Sequence, residues 1–538
     1  MSAAENSIVC RMVLAVLAAL VRWYDGSLLA AGLRRFGAGC RVAWAGSVFG
    51  RGWRNSAVVR FFVREGVLSR AWPHSLVCRG LTTLISLPTM ILQWIYQKAR
   101  PAFENSGLSH LFLSIAEQTP LLAGWVMLAV MVVPYEVWNN AYSLAGLAVC
   151  LFLTVFAGMR KPDYRFSLAA IGPWLMAFAG TIILAWYRSP DREESTRHLV
   201  FHLTCMFCVL ILVTTVERRE HLVRLLGVSS AALAAMSCMG FYQRASGIEV
   251  NPMYVDMTLD LNKGMPGRVF AFYENPNAFG EVLLLLLPLS FALILCARTW
   301  WGKTLAVFST GMGCAAIAMT YSRAAWIGLV VAVLLFLLLW NKKVVPVVIL
   351  VALAGTLLLP DTVSNRILSI FSSSDTSTNS RFPYYQAAWA FIQDHPLLGG
   401  GLGSDVVRDL INDGDYFTGT DIFIHCHNVY LQVWCETGAV GLLTFVGGIL
   451  WTIRQGGRAV GSALCSRQTR LVVIGSISAL LGAMICGIAD YIWHYPRVML
   501  IFWFVAGIAL AGIRLASREQ EALPPCKGVF HAAEKPLE

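Results

Sequence analysis

From residue 121 to 515 the chain alternates long apolar runs with short polar turns. Twelve runs read as spans: 121–133, 141–159, 166–187, 199–216, 222–241, 279–297, 304–321, 324–340, 344–359, 432–453, 471–489 and 498–514. Crossing a bilayer as a helix takes roughly 20 residues. The runs are continuous, without the alternation of a barrel strand. The expected fold is therefore an all-α polytopic membrane protein with about twelve transmembrane helices, the first and ninth of them short. One interval breaks the rhythm. Residues 360–431 separate the ninth run from the tenth, and such long loops usually carry function. Within it, 372–380 is made of Ser, Thr, Asp and Asn and reads as a flexible lead-in. Arg381 to Gln393 has helical spacing, with Trp389, Phe391 and Ile392, and His395-Pro396 with the glycines of 399–403 ends it.

Residues 1–120 differ. They hold 13 Lys or Arg against 5 Asp or Glu, with scattered tryptophans. The run from 8 to 21 is short, is interrupted by Arg11 and lacks a cleavage pattern, so no signal peptide is expected. The run 80–96 is apolar but marginal in length. A basic, Trp-bearing segment of this kind is expected to lie on an anionic leaflet. The chain thus divides into a basic membrane-surface region (1–120), a transmembrane domain (121–515, with 360–431 its long outer loop) and a cytoplasmic tail (516–538). With the N-terminus inside, 31 of the 42 Lys and Arg fall on inner segments, as the positive-inside rule asks. The same parity puts 242–278, the tip at Tyr321-Ser322-Arg323, the loop 360–431 and the tip from Asp490 to Arg497 on one outer face.

Composition narrows the class. Charged residues make up 14% of the chain and hydrophobic ones 57%, where a soluble domain carries about a quarter charged. The net charge of +11 belongs to the inner flanks of the spans, so no nucleic-acid partner is expected; the lipid bilayer is the surrounding one. Most of the 14 cysteines sit inside apolar runs, as small buried hydrophobes do. Cys205 and Cys208 are spaced as C-x-x-C, but mid-membrane and without a second pair.

The candidate chemistry lies on the outer face. Arg268, Arg323 and Arg381 are three basic residues where such residues are scarce. Any one of them fits an arginine snorkelling to headgroups. Three together suit a diphosphate, because the guanidinium fork binds phosphate oxygens in pairs and stays charged. Asn275-Pro276-Asn277 reads as a turn or as a cap of the sixth span, whose N-terminus would face an anion. His425-Cys426-His427-Asn428 leads directly into the tenth span, with Glu436, Gly438 and Gly441 following. Imidazole is the side chain whose unperturbed proton exchange falls near neutral pH. Three adjacent residues cannot complete a zinc shell, so no metal is expected. Gly438 and Gly441 are spaced for close helix packing, and the glycines 399–403 for backbone approach to a substrate. Asp490, His494 and Arg497 form a second polar tip, fit either to orient His427 or to anchor the last span.

His427-Asn428, nine residues, Gly438, two residues, Gly441 resembles the pattern of bacterial O-antigen ligases. The wider O-antigen ligase and polymerase family is also similar in Gly267-Arg268 with Asn275-Pro276-Asn277, in Ser322-Arg323-Ala324-Ala325-Trp326, and in Arg381 with Trp389 leading to Gly399–Gly403. The resemblance covers roughly 120–515, and the first 120 residues have no counterpart in it. It implies a GT-C-like helical fold in a bacterial cytoplasmic membrane. It also implies an undecaprenyl-diphosphate-linked glycan as donor, a glycolipid or glycan acceptor, and transfer on the outer face with no metal or other cofactor. Carried over, Arg268, Arg323 and Arg381 would bind the diphosphate and His427 would be the catalytic base. His425, Asn428, Glu436, Asn275, Asp490 and His494 would support them. Direct displacement would invert the anomeric centre. Within the family, a polymerase joining lipid-linked repeat units is the alternative to a ligase. A lipid-linked oligosaccharide transporter fits less well, because transporters place ionisable groups at mid-membrane and show repeated halves, and this chain has neither.

Overall fold

A computed structural model describes residues 67–521 except 253, 256–261, 263, 372–380, 420, 421 and 463, together with scattered positions before 67. The expected lead-in at 372–380, most of the run at 8–21 and the tail beyond 521 lie outside the described residues. Among the described residues every regular element is helical. The longer helices are α1 (Leu76–Lys98), α2 (Gly107–Glu117), α3 (Thr119–Val132), α4 (Asn140–Ala157), α5 (Pro173–Arg188), α6 (Arg192–Thr215), α7 (Arg219–Ala245), α8 (Pro276–Cys296), α9 (Trp300–Met319), α10 (Arg323–Asn341), α11 (Val345–Gly355), α12 (Asp361–Leu368), α13 (Phe382–Asp394), α14 (Ser404–Asp413), α15 (Val429–Gly461), α16 (Arg467–Cys486) and α17 (Pro496–Glu521).

Among the described residues, nine of these helices are long and apolar enough to cross a membrane, or ten if α2 and α3, bent by 59° at their junction, form one span. The run at 80–96, marginal in the sequence, is the 23-residue α1 and passes that test. The span expected at 166–187 is interrupted. A short turn, Leu168–Ile171, precedes α5, and Gly172 between them has φ +86.

Hydrogen bonds between turns sort the helix ends into two sets. At one end Arg497 binds the carbonyls of Val130, Val133 and Phe272, Ser195 binds that of Leu402, Val269 N–H binds that of Met319, and Val429 N–H binds that of Gly487. At the other end Arg514 binds Ser167 and the carbonyls of Thr214 and Val216, Lys161 pairs with Glu217, Gln468 binds the carbonyl of Cys296, and Ser466 N–H binds Glu519. The expected clustering of polar constellations at one end is therefore met.

This sorting also accounts for the short ninth span. α10 starts beside α12, because Arg366 of α12 donates to the carbonyl of Tyr321 at 3.3 Å. The chain must thus return the full height of α10, about 28 Å for its 19 residues. α11 supplies about 16 Å, the 3₁₀ turn Thr356–Leu358 about 6 Å, and two extended residues the rest.

α8, α16 and α17 run through the middle and are buried nearly all round. α10 lies close on α16 because Gly328 and Gly482 face each other; a Cβ on either would come within 2.6 Å of the other's carbonyl oxygen. This rigid centre carries, at one end, the loops that follow α7, α9, α12 and α16.

Candidate functional site

The histidine turn is fastened from both sides. Asn428 caps α15, its side-chain oxygen accepting from Tyr430 and Leu431 N–H at 2.9 and 3.0 Å, while its amide donates to the Ile488 carbonyl at 2.8 Å. Val429 N–H binds the Gly487 carbonyl at 2.9 Å. The turn before α15 is thus zipped to the turn after α16, which carries Asp490. His427 itself has φ +46, a left-handed conformation costly for a residue with a side chain. Ala271 and Tyr321, in the two arginine-bearing turns, have φ +49 and +51. Three of the four described non-glycine residues with positive φ thus flank the candidate groups.

That backbone presents the His427 ring to Asp490. His427 Nδ1 lies 3.9 Å from Asp490 Oδ1, facing the carboxylate but beyond hydrogen-bond length. Tyr384 stands edge-on to the ring with centroids 5.2 Å apart, and Tyr385 Oη donates to the His427 carbonyl at 3.4 Å. His425 and His494 continue the stack, with centroid separations of 4.1 Å (His425–His427) and 4.4 Å (His425–His494). Burial, with the neighbouring imidazoles, pushes the pKa of His425 well below its ordinary value, and burial lowers that of His494. Burial pulls the Asp490 carboxyl up; its contact with His427 and the charge of Arg381 outweigh this and hold it well below the usual carboxylate range. Arg381, at the head of α13, donates to the Ala489 carbonyl at 2.5 Å.

The other arginines gather near the start of α10. Arg268, 7% exposed, donates to the carbonyls of Thr320 (2.6 Å) and Tyr254 (3.3 Å) and to the Asn277 side chain. All three partners are neutral oxygens. Burial, with Arg366 and Arg323 nearby, lowers its pKa to about 9, so it keeps its charge at neutral pH. Arg323 donates to the carbonyl and hydroxyl of Ser369, both at 3.3 Å. Asn275 caps α8 by accepting from Asn277 N–H at 2.7 Å, so of its two sequence readings the cap is the observed one. Asp490 is within electrostatic reach of Arg268, joining the arginines to the histidine turn.

On the other side of the histidine stack lies a cavity of about 580 Å³, lined in part by His494, His198, Arg197 and Asp405. Arg197 pairs with Asp405 at 2.8 Å and with Glu194, Arg408 pairs with Asp405 at 2.7 Å, and His198 Nε2 is 3.2 Å from Asp405. Glu194, His198 and Asp405 have a spacing that could hold a cation. The two arginines already occupy the Asp405 oxygens, which works against one.

Several readings change. Gly438 does not serve helix packing. It breaks α15 at φ +71, and a Cβ there would fall 2.1 Å from the Leu397 carbonyl oxygen. The glycine run 399–403 docks onto this break, with Gly400 N–H on the Cys435 carbonyl at 2.8 Å and Ala439 N–H on that of Pro396 at 2.9 Å. Its backbone approaches α15, not open space. Glu436 is spoken for by Gln432 (2.9 Å), Gly403 N–H (3.3 Å) and Tyr491 (3.3 Å), a brace rather than a reactive group. The second tip splits. Asp490 faces His427, while Arg497 clamps carbonyls and lies over the rings of Trp138 and Tyr273. The sequence reading missed Arg366, 6% exposed and bound to Asn262, and Glu281, buried one turn inside α8 within reach of Asp490 and Arg381. The scarcity of charges at this end was a usable signal for Arg366; nothing local marked Glu281.

Residues 305–446 match the O-antigen ligase family. The match takes in Arg323, Arg366, Arg381, His425, His427 and Glu436, and leaves Arg268, Asn275, Asp490 and His494 outside. The O-antigen ligase of Salmonella typhimurium (strain LT2) is 33% identical over 138 residues, 24% of this chain and 34% of that protein. The chain thus spans about a third of that relative's length. Over 305–446, the stretch that holds Arg323, Arg381 and His427, this polytopic helical chain is therefore similar to the O-antigen ligase family.

Proposed function

We propose that the protein is a membrane glycosyltransferase of O-antigen assembly. It moves a glycan from undecaprenyl diphosphate to a glycolipid acceptor, with inversion and without a metal, on the outer face of the cytoplasmic membrane. The observation that carries this reading is Arg268: a buried guanidinium that, among the described residues, is held by neutral oxygens, beside further arginines and linked through Asp490 to the histidine turn. A buried charge is ordinarily paired, and a diphosphate completes this one.

In the reaction an acceptor hydroxyl oxygen attacks the anomeric carbon of the donor. The bond from that carbon to the diphosphate oxygen breaks, and undecaprenyl diphosphate leaves with the electron pair. Arg268, Arg323 and Arg381 stabilise the charge that grows on the leaving group; one such group is worth about 100- to 1000-fold in rate. His427 takes the hydroxyl proton. Its Nδ1 faces Asp490, which leaves Nε2 as the base, with Asp490 stabilising the imidazolium that forms. Base catalysis contributes about 100- to 10,000-fold.

The test is transfer in proteoliposomes with a radiolabelled undecaprenyl-diphosphate glycan and EDTA present. Wild type is expected to yield a labelled acceptor that no longer carries undecaprenyl. His427→Ala should lose about 100-fold or more of this activity while inserting normally. Full activity in that variant rejects the assignment. A ladder of longer lipid-linked chains makes the enzyme a polymerase, and label that only changes leaflet makes the protein a transporter.

A further inference from the structure

The cavity beside the histidine stack has no part in the chemistry above. It is bounded by α4, α6, the start of α14 and the turn before α17. Its walls change character with depth. Arg197, His198 and Asp405 form its mouth as one hydrogen-bonded, charge-balanced network. Further along the same helices come Phe201 and Thr204 on α6 and Leu144 on α4. From Arg197 to Thr204 is about 10 Å along the helix axis. The polar-to-apolar step therefore runs along α4 and α6 from their polar ends into their apolar stretches. His494, on the cavity wall, is two ring contacts from His427 through His425.

We infer that this cavity is the acceptor subsite and that it takes an amphipathic acceptor. A hydroxylated sugar head would sit against the Arg197–Asp405–His198 network and an alkyl body along Leu144 and Phe201. The inference rests on the transferase reading above. The network favours hydroxyls over a free anion because its cations are already met by carboxylates, while its donors and acceptors remain at the rim for a group that can both give and accept. A second diphosphate would meet Asp405 and Glu194, two like charges. The stack of His494, His425 and His427 forms the wall between the two subsites, so that only the attacking hydroxyl reaches the base.

The experiment measures binding and transfer separately, with full-length protein in nanodiscs. The probe is rough-type lipopolysaccharide, which ends before the polymer, together with its deacylated oligosaccharide; a fluorescent form of the former gives Kd by competition. The intact glycolipid is expected to bind at least tenfold more tightly than the deacylated form. Leu144→Trp, which fills the apolar end, should weaken the intact form about tenfold and leave the deacylated form unchanged. Arg197→Ala, at a side chain more than half exposed, should weaken both. In transfer, both variants should raise the acceptor KM and leave the donor KM unaltered. Equal binding of the two probe forms, or unchanged Kd in both variants, overturns the inference. Wild type that binds the glycolipid with the expected preference but transfers nothing to it upholds the cavity and rejects the transferase reading instead.

Discussion

The two sides of the histidine stack hold their arginines in opposite ways. Among the described residues the buried Arg268 meets carbonyl and amide oxygens, and Arg381 donates to a carbonyl next to Asp490. Across the stack, Arg197 and Arg408 are partly exposed and converge on the carboxylate of Asp405, with Glu194 joining Arg197. Neutral oxygens fix the direction of a guanidinium without cancelling its charge; a carboxylate cancels it. The first arrangement suits an anion arriving from outside, the second a ligand without net charge at the point of contact. Residue type alone would have made the two sides look alike.

The strongest way to break this contrast is to remove Arg268. Arg268→Ala should cost about 100- to 1000-fold in kcat. Arg268→Lys, which keeps the charge and loses the fork, should recover only part of it. Donor KM and kcat in the reconstituted assay are the measurement. A loss below tenfold means that the buried charge serves the fold, and the contrast between the two sides loses its meaning.

Much of this was legible beforehand, for reasons that differ by residue. Apolar run length marked eight of the twelve expected spans as helices long and apolar enough to cross, and a ninth where α2 and α3 join across their bend, because a helix in lipid must satisfy its own backbone; the interruption at Gly172 has no signature in run length. Arg268, Arg323, Arg381 and His427 stood out because charge and imidazole are costly at such positions. Asp490 was visible as a polar tip, but its pairing with His427 rests on the zip between the turns at 428–429 and 487–488, a contact across about 60 residues of sequence. Gly438 was misread because spacing cannot distinguish a glycine that admits another helix from one that admits a loop. The cavity was invisible, since Asp405, His198 and His494 lie on three separate elements.

Gly438 sharpens the comparison at lower cost. Its break in α15 seats the loop that leads to Ser404 and Asp405 on the cavity side. Gly438→Ala combines a strained φ with a backbone clash, worth about 1–3 kcal/mol for the conformation alone. Thermal unfolding should shift down by several degrees. In the surviving fold the acceptor KM should rise while the donor KM stays near wild type. Equal damage to both would show that the loop supports the whole site rather than one side.

Acid probes the stack between the two sides. His425 and His494 have folded pKa values pulled below the unfolded value by burial. The unfolded chain therefore binds protons first as pH falls through about 6.5. Stability should be full above that point and decline between pH 6.5 and 5. Asp490, whose folded pKa is depressed, adds a loss only below about pH 4. Unfolding midpoints at pH 7.5, 6 and 5 test the order. His494→Gln should flatten the upper part of the decline, and an unaltered slope would mean that the stack relaxes to solvate its protons.

The smallest effect is expected at Arg408. Its pairs with Asp405 and Asp409 lie at the protein surface, with about a third of its side chain exposed, and such pairs are typically worth about 0–1 kcal/mol. Arg408→Ala leaves Asp405 with Arg197 and His198, so both KM values should change by less than about threefold. The weakness of the effect is what makes the variant informative. If charge alone mattered at this end of the bundle, removing any arginine would lower donor affinity, and Arg408→Ala would resemble a mild form of Arg268→Ala. If the manner of holding decides, the two variants differ in kind: Arg268→Ala acts on kcat and the donor, and Arg408→Ala acts on neither. A donor KM raised more than tenfold by Arg408→Ala would show that the diphosphate draws on the field of both sides together, and the division of the site into an anion side and a hydroxyl side would fall.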